Sequence, residues 1–276
     1  MKDKPLLVLN VRKRHILAAF LVLLGGLLVY SAYFRQFMTL PQSTEVLLPE
    51  LAMNLQNKKI VVFSPHCDDE ILGQAGLLSR AVKEGSTVKV VLVTDCNKHD
   101  IGALRKQETA SALSSLGVNT DQEYWNFAEG KGNRSQDETN SLKKRYEDLL
   151  FSYQPDLIIV PHPSDTHSDH RWVSRTFRSL PGSGQYKSKT IYYLIHFNFL
   201  KFPSPPGLRT EAYLTPPVRL INPMTTWYKF SLTVDEENAK EEAVLKFKSQ
   251  LKVTNPVLNR VLLDFVRKNE LFMVEN

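Results

Sequence analysis

The sequence has 276 residues, and its content of 42% hydrophobic and 23% charged residues is that of a folded globular protein. The formal net charge of +6 is spread along the chain, and no basic stripe interleaved with aromatic residues indicates a nucleic-acid-binding surface. Two cysteines are too few for a disulfide-rich scaffold.

The chain begins with a basic segment, 1–15, and an apolar segment, 16–34, whose residues from Ile16 to Tyr33 carry no charge. At a rise of about 1.5 Å per residue, such a helix crosses a hydrocarbon layer of about 30 Å. Five lysines and arginines precede the segment and only Arg35 follows it closely, so the positive-inside rule places the N-terminus in the cytoplasm. We therefore predict a single-pass protein of the cell membrane with an extracytoplasmic domain. A cleaved signal peptide is the competing interpretation.

A connector, 35–57, is predicted to end in a short helix at 50–56, and a folded domain, 58–276, follows it. In that domain short apolar runs alternate with helical segments, which is typical of βαβ units. We predict a three-layer α/β fold with a mostly parallel, Rossmann-like sheet, preceded by the transmembrane helix. No G-x-G-x-x-G follows the first strand, so a dinucleotide site has no support. The predicted strands are 59–64, 87–94, 124–127, 157–160, 190–196 and 227–233, the predicted helices are 70–84, 103–116, 138–152, 169–179, 236–251 and 257–272, and a proline-rich surface excursion covers 202–223.

Dense polar clusters directly follow two of the predicted strands. His66, Asp68 and Asp69 follow the first strand, and the stretch 162–170, HPSDTHSDH, follows the fourth. Adjacent carboxylates beside an imidazole repel one another or stay unsatisfied unless a cation binds them, and ligands of open α/β sheets bind beyond the carboxyl ends of the strands. His66, Asp69 and His170 would supply three ligands to a catalytic zinc. Helix capping by one of the aspartates is the structural alternative.

The two clusters resemble the signature of the LmbE-like, or PIG-L, deacetylases, metal enzymes that remove acetyl groups from N-acetylglucosamine-type sugars. That signature pairs a strand ending in His-x-Asp-Asp-Glu, present here at 66–70, with a distal His-x-Asp-His, present at 167–170. The resemblance covers about residues 58–250 and identifies 58–276 as an LmbE-like deacetylase domain. It implies metal ligation by His66, Asp69 and His170, general base catalysis by Asp68, stabilisation of the oxyanion and protonation of the leaving amine by His167, tuning of its neighbourhood by Asp169, and substrate binding by Arg105. By chemistry alone, either Asp68 or a protonated His167 can give the proton to the leaving nitrogen, and the sequence does not decide between them.

Zinc is the expected metal, or another divalent cation such as Fe²⁺. Asp95, after the strand 87–94, either binds substrate or hydrogen-bonds a loop. Cys67 stands where the family usually has proline, and a disulfide between Cys67 and Cys96 requires their Cα atoms to lie within about 7 Å. The sequence leaves the state of the two thiols open.

We expect a membrane-anchored, zinc-dependent N-deacetylase that acts on an N-acetylated amino sugar, either lipid-linked or part of a surface glycan. Two alternatives stay open: an amidase that cuts another amide of a sugar conjugate, and a non-catalytic glycan-binding or assembly protein. Binding alone needs no base beside the ligands, so Asp68 favours the enzyme. The oligomeric state is not predicted.

Overall fold

The computed structural model describes residues 12–119, 122–198, 202–203, 212–251 and 262–276. The strands of this part of the chain are β1 Lys59–Ser64, β2 Thr87–Thr94, β3 Gln122–Phe127, β4 Leu157–Pro161, β5 Thr190–Tyr193, β6 Thr225–Ser231 and β7 Asn269–Glu275. They form one sheet in the order β3-β2-β1-β4-β5-β7-β6. Strands β1 to β5 are parallel, whereas β7 runs antiparallel to both of its neighbours. The predicted mostly parallel α/β sheet is confirmed.

The sheet changes direction at β1, which decides where a ligand binds. From β1 the chain proceeds outward to β2 and β3, and it then returns to β4 on the other side of β1. The carboxyl ends of β1 and β4 therefore flank a switch point, where open α/β sheets form their binding crevice. Residues 60–63 of β1 are fully buried, as expected for a strand covered on both faces.

The described helices form an N-terminal apolar segment and two covering layers. They are α1 Lys13–Phe37, α2 Asp69–Lys83, α3 Gly102–Ser115, α4 Gln136–Tyr153, α5 Ser168–Arg178, α6 Val234–Val244 and α7 Lys248–Leu251. Helices α2 and α3 contact α6, whereas α4 contacts α5. Right-handed crossovers place these groups on opposite faces of the sheet, in agreement with the predicted three layers. Helix α2 lies close to the sheet, because a Cβ atom on Gly73 would come within 2.7 Å of the Tyr193 ring.

Among the described residues, the predicted closing helix 257–272 is present only at Leu262 and Leu263, and the prediction is wrong from residue 264 onward. Residues 257–261 lie outside the described residues, and 269–275 form β7 between β5 and β6. Leu271, Phe272 and Met273 are buried in succession, because both faces of this strand are covered. A short run of buried apolar residues has the same sequence signature in a helix and in a central strand.

The connector is also organised differently from the prediction. A 3₁₀ helix spans Gln42–Leu47, and no helix forms at 50–56 among the described residues. Glu50 instead forms a parallel bridge with Lys229, and the Leu51 amide donates to the Lys229 carbonyl at 2.7 Å. The hydrogen-bonding edge of β6 thus competes successfully with local helix formation. Of the proline-rich excursion, 204–211 lie outside the described residues, while Leu214 and Thr215 are buried and not at the surface.

Helix α1 is long and apolar enough to span a membrane, with a mean hydropathy of 2.2 over its most apolar window, and the domain buries none of that window. Backbone hydrogen bonds hold the segment after α1 on the domain. The Leu40 amide donates to the Pro216 carbonyl, and the Val218 amide donates to the Met38 carbonyl, both at 2.9 Å. The helix is therefore followed at once by a segment bound to the domain.

Candidate metal centre

The first polar cluster lies in a tight turn between β1 and α2. Pro65 has no amide hydrogen and cannot continue the ladder of β1, and its carbonyl accepts hydrogen bonds from the amide and the hydroxyl of Thr94 at 3.1 and 2.7 Å. The Ser64 hydroxyl lies 2.7 Å from a carboxylate oxygen of Glu70. These contacts fix the direction in which the turn presents His66 and Asp69.

Three side-chain atoms from the two predicted clusters meet at one point. Nδ1 of His66 and Nε2 of His170 lie 3.2 and 3.0 Å from Oδ2 of Asp69, and they lie 3.2 Å from each other. All three residues are buried. The structure therefore brings together the ligand set expected from the sequence, one histidine and one carboxylate from the turn after β1 and one histidine from α5.

Each of the two histidines has a carboxylate at its other ring nitrogen. Nε2 of His66 lies 3.1 Å from Oδ2 of Asp169, and Nδ1 of His170 lies 3.1 Å from Oδ2 of Asp165. Asp169 in turn accepts hydrogen bonds from Arg134 and from the Gly130 amide at 2.6 and 2.7 Å. A carboxylate behind a ligating histidine fixes the ring and its tautomer, as is usual in zinc sites.

The charges of this cluster suit a divalent cation. Burial disfavours protonation of His66, yet its hydrogen bonds with Asp169 and Asp69 raise its pKa to about 9. The surrounding carboxylates thus attract positive charge to this point, and a metal ion supplies it without protons. Two imidazole nitrogens and a carboxylate oxygen are zinc ligands, and bonds of about 2.0–2.2 Å in a tetrahedron separate such atoms by about 3.3 Å. The donor set therefore fits zinc.

His167 lies beside the cluster at the start of α5. Its Nδ1 accepts a hydrogen bond from the Asp169 amide at 3.3 Å, which assigns its ring hydrogen to Nε2. Burial, followed by the neighbouring His66 and His170, lowers its pKa to about 3. Ring nitrogens of His66, His167 and His170 also lie within 4.8 Å of one another, so His167 is a geometric alternative to Asp69 as a ligand. A second such group comprises Asp165, His170 and His196.

Asp68 lies next to the ligands and has an arginine partner. Its side chain is 14% exposed, and Nη2 of Arg105 donates to its Oδ2 at 3.4 Å. Burial and the adjacent charge of Asp69 raise the pKa of Asp68, whereas Arg105 opposes this rise. Arg105 is itself buried and also pairs with Glu129 at 2.9 Å. Arg105 therefore points inward from α3, where it contacts Asp68 and lines the cavity, and it is not a surface cation.

Asp95 is not among the described residues that line the cavity. Its carboxylate accepts hydrogen bonds from the amides of Asn97 and Glu129 at 3.0 and 3.1 Å. The geometry corresponds to the loop-bonding alternative and gives Asp95 no contact with the metal centre.

The cluster opens into a cavity of about 720 Å³. One wall carries His66, Asp68 and His167, and another is apolar, with Ile195, Phe197, Phe202, Leu262 and Phe265. Asn198 also lines the cavity, and its Nδ2 donates to the Gln36 carbonyl in the last turn of α1 at 2.9 Å. The cavity wall is therefore attached to the end of the apolar helix.

A disulfide joins Cys67 to Cys96 directly behind the metal turn, with 5.7 Å between the Cα atoms. Both residues are fully buried. The sequence left open whether the two thiols are free or bonded, and in the structure they form a disulfide. They can do so because β1 and β2 are neighbours and their carboxyl ends lie close together.

Three residues of the centre were not predicted. Asp165 is part of the second cluster, and of the three it could most easily have been predicted, since a ligating histidine usually has a carboxylate at its other ring nitrogen. Glu129 and Arg134 follow β3, and their local sequence carries no metal-site pattern. Their roles depend on how the loop after β3 folds over α3 and α5.

Comparisons with known proteins identify similar sequences and folds. Residues 61–180, which include both polar clusters, match the model of a family described as PIG-L, GlcNAc-PI de-N-acetylase. The fold is similar to the zinc-inhibited form of teicoplanin deacetylase Orf2, with a TM-score of 0.57 and 16% identity over 79% of this chain and 98% of that one. It is also similar to the A40926 pseudoaglycone deacetylase Dbv21, with a TM-score of 0.59 and 15% identity over 79% and 97% of the two chains. N,N'-diacetylchitobiose deacetylase from Pyrococcus horikoshii gives a TM-score of 0.53 and 20% identity over 81% and 88%. At these identities the similarity supports the fold.

Proposed function

We propose that this chain, whose residues 61–180 match the family model described as PIG-L, GlcNAc-PI de-N-acetylase, is a zinc-dependent hydrolase that removes the acetyl group from an N-acetylglucosamine-type amino sugar. The observation that carries the proposal is the meeting of His66, Asp69 and His170 within 3.2 Å of one another, with the Asp68 carboxylate beside them in an open cavity. His66, Asp69 and His170 would hold the zinc.

Asp68 acts as the general base and then as the acid. Zinc in such a set polarises a carbonyl group and lowers the pKa of water to about 7. The Asp68 carboxylate accepts a proton from the water that attacks the acetamide carbon, and it returns this proton to the departing nitrogen. Arg105 keeps the carboxylate oriented and favours its charged form before the attack.

His167 stabilises the oxyanion as a neutral donor. Its Nδ1 is occupied by the Asp169 amide, so the hydrogen on Nε2 is available to the cavity. A donor of this kind contributes about 3 kcal/mol to transition-state stabilisation. The Asp169 carboxylate lies at Nε2 of His66 and orients that ring. The Asp169 amide, at the start of α5, donates to Nδ1 of His167 and so orients the second ring.

The substrate is proposed to be lipid-linked, and the domain to lie outside the cytoplasm. The attachment of Asn198 to Gln36 holds one cavity wall at the end of α1, and the apolar wall offers a surface for hydrocarbon next to the polar reaction centre. The Cys67–Cys96 disulfide supports an oxidising compartment, in agreement with the basic residues before α1.

Acetate release tests the proposal. The full-length protein in detergent, loaded with zinc, is incubated with a panel of free and lipid-linked N-acetylglucosamine compounds. We expect acetate from the wild type and a loss of at least about a hundredfold in kcat for Asp68→Asn, because the variant removes the base. Its zinc content should equal that of the wild type.

Asp95→Asn is the matched control, since Asp95 is also an aspartate after a parallel strand but bonds only loop amides in the structure. Its amide oxygen can still accept both hydrogen bonds, so kcat should change less than threefold. Zinc-loaded wild type that releases no acetate from any compound contradicts the proposed activity, and equal losses in both variants contradict the role of Asp68.

A further inference from the structure

The disulfide is part of a closed circuit that includes the general base. Cys67 lies between the ligand His66 and Asp68 in the chain, and its sulfur is bonded to Cys96. The Cys96 carbonyl accepts a hydrogen bond from Nη1 of Arg105 at 3.3 Å, and Nη2 of the same guanidinium donates to Asp68 at 3.4 Å. Asp68, Cys67, Cys96 and Arg105 are thus joined in a closed ring of covalent bonds and hydrogen bonds, which is called the circuit below.

This circuit fixes two groups that belong to different loops. Arg105 starts from α3, and the loop before α3 has left-handed backbone angles at Cys96, His99 and Asp100, with φ values near 60°. Such angles are unfavourable for residues other than glycine and persist only where surrounding contacts hold them. Within the part of the chain that the structure describes, the Cys96 amide has only a long contact of 3.4 Å to the Thr94 hydroxyl, so the disulfide is the firmest attachment of this residue there.

The same loop forms the rim of the cavity, through Lys98, His99 and Ile101. On the other side, the Cys67 carbonyl accepts a hydrogen bond from Nε2 of Gln250 at 3.2 Å, and Gln250 also lines the cavity. A movement at either cysteine therefore reaches the ligand turn, the base and the rim together.

We propose that the Cys67–Cys96 disulfide positions the reaction centre: it holds Asp68 against Arg105 and keeps the ligand turn in its metal-binding arrangement. The two cysteines are positioning residues that contact no reacting atom. The inferred positioning of Asp68 rests on the proposed deacetylase function. The inferred support of the ligand turn rests on metal binding alone.

The test uses the full-length protein in detergent with the double substitution Cys67→Ala and Cys96→Ala. With Co²⁺ as the probe, we expect its dissociation constant to rise at least tenfold and its visible absorption bands to shift, since the proposed ligand His66 directly precedes Cys67 and the proposed ligand Asp69 directly follows Asp68 in the same turn. In acetate release we expect kcat to fall at least tenfold. In an Asp68→Asn background, measured with saturating zinc so that weaker metal binding does not lower the occupancy of the site, the same double substitution should lower kcat less than threefold, because the base it positions is already absent.

A purely structural disulfide gives a different pattern, since loss of folded protein lowers activity by the same factor in both backgrounds. Equal factors, or an unchanged Co²⁺ dissociation constant, overturn the proposal. The Co²⁺ measurement decides the metal part even if no compound yields acetate, so failure of the proposed function and failure of the positioning role are distinguishable.

Arg105→Lys keeps the disulfide and tests the circuit if the cysteine-free protein does not fold. Lysine retains the charge but cannot bridge Cys96 and Asp68 with one planar group. We expect kcat to fall at least tenfold in the wild-type background and less than threefold beside Asp68→Asn. An unchanged kcat in the first background overturns the proposal.

Discussion

The arrangement of single side chains explains why this site needs so many acidic groups. Asp69 faces the proposed metal position, whereas Asp165 and Asp169 lie behind the two histidines. The sequence places both clusters at adjacent strand ends, which predicts that His66 and His170 approach each other. It does not predict which carboxylate faces which ring, because this depends on the turn in which the Asp165 amide donates to the His162 carbonyl.

The first prediction at this scale concerns Asp165→Asn. The carboxylate accepts hydrogen bonds from the amides of His167 and His196 and faces Nδ1 of His170. Loss of its charge should raise the zinc dissociation constant about 10- to 100-fold, as is typical for a residue behind a ligand. Competition with a chelator measures the constant, and Asp95→Asn should leave it within threefold. Equal constants for the wild type and Asp165→Asn would show that this carboxylate does not support His170.

A second prediction concerns the pH dependence of stability and the buried His162. Burial, opposed by Asp165 and reinforced by Arg178, lowers the pKa of His162 from 6.5 to about 4. The His162 ring stacks on Trp227, with the two ring centroids 5.2 Å apart. Between these pH values the unfolded chain binds a proton that the folded chain does not, so stability falls as the pH decreases from about 6.5 to about 4. The difference between the two pKa values is equivalent to about 3 kcal/mol.

The replacement His162→Gln should remove this part of the pH dependence while keeping an acceptor for the Ser164 amide. Urea unfolding of the full-length protein in detergent, followed by tryptophan fluorescence at several pH values, gives the free energy of unfolding. The wild type should lose about 3 kcal/mol more than the variant between pH 7 and pH 4. Parallel curves for the two proteins would refute the assignment.

At the level of elements, α2 and β7 depend on each other. Helix α2 is interrupted at Gln74, whose φ of −149° is not helical. The amides of Gly76 and Leu77 just after this interruption donate to the Glu270 carboxylate of β7, each at 2.8 Å. Lys240 of α6 neutralises the same carboxylate at 2.8 Å, and both side chains are fully buried. One carboxylate therefore joins two helices to a central strand.

Lys240→Met should accordingly destabilise the domain by about 3 kcal/mol, because it leaves a buried carboxylate without its counter-charge. Lys246→Met is the matched control: it also removes a lysine–glutamate pair, Lys246–Glu242, but that pair is solvent-exposed and should contribute less than about 1 kcal/mol. Urea unfolding compares the two variants. Equal small losses would mean that the two amides alone satisfy Glu270.

The central elements were predictable from the sequence, whereas those at the antiparallel edge were not. The runs in β1, β2 and β4 are bounded by polar turns and match predicted strands closely. In β7 the buried run Leu271–Met273 shows no alternation of apolar and polar residues, so its sequence pattern does not distinguish a strand from a helix. The segment forms a strand because it pairs with the edge of β5. The helix predicted at 50–56 does not form for a similar reason, since Glu50 and Leu51 at its start pair with the edge of β6.

The whole molecule combines a helix fit for a bilayer with a domain whose cavity begins beside it. The domain carries a disulfide, and basic residues precede the helix. We therefore predict that alkaline phosphatase fused through a linker after residue 276 is active in cells and that a fluorescent protein at the same position remains dark, as expected for an extracytoplasmic domain. A bright fluorescent fusion with an inactive phosphatase would reverse the proposed topology.

The position of β7 also has a consequence for biogenesis. Strand β7 comes last in sequence among the described strands, yet it occupies the place between β5 and β6. During synthesis, which produces the N-terminal part first, the edge of β5 stays unpaired until residues 269–275 have been made. Unpaired strand edges are sites of aggregation and chaperone binding. The nascent chain thus completes both its sheet and the support of α2 in one late step, so its yield in the cell should depend on how quickly residues 269–275 follow the rest of the domain.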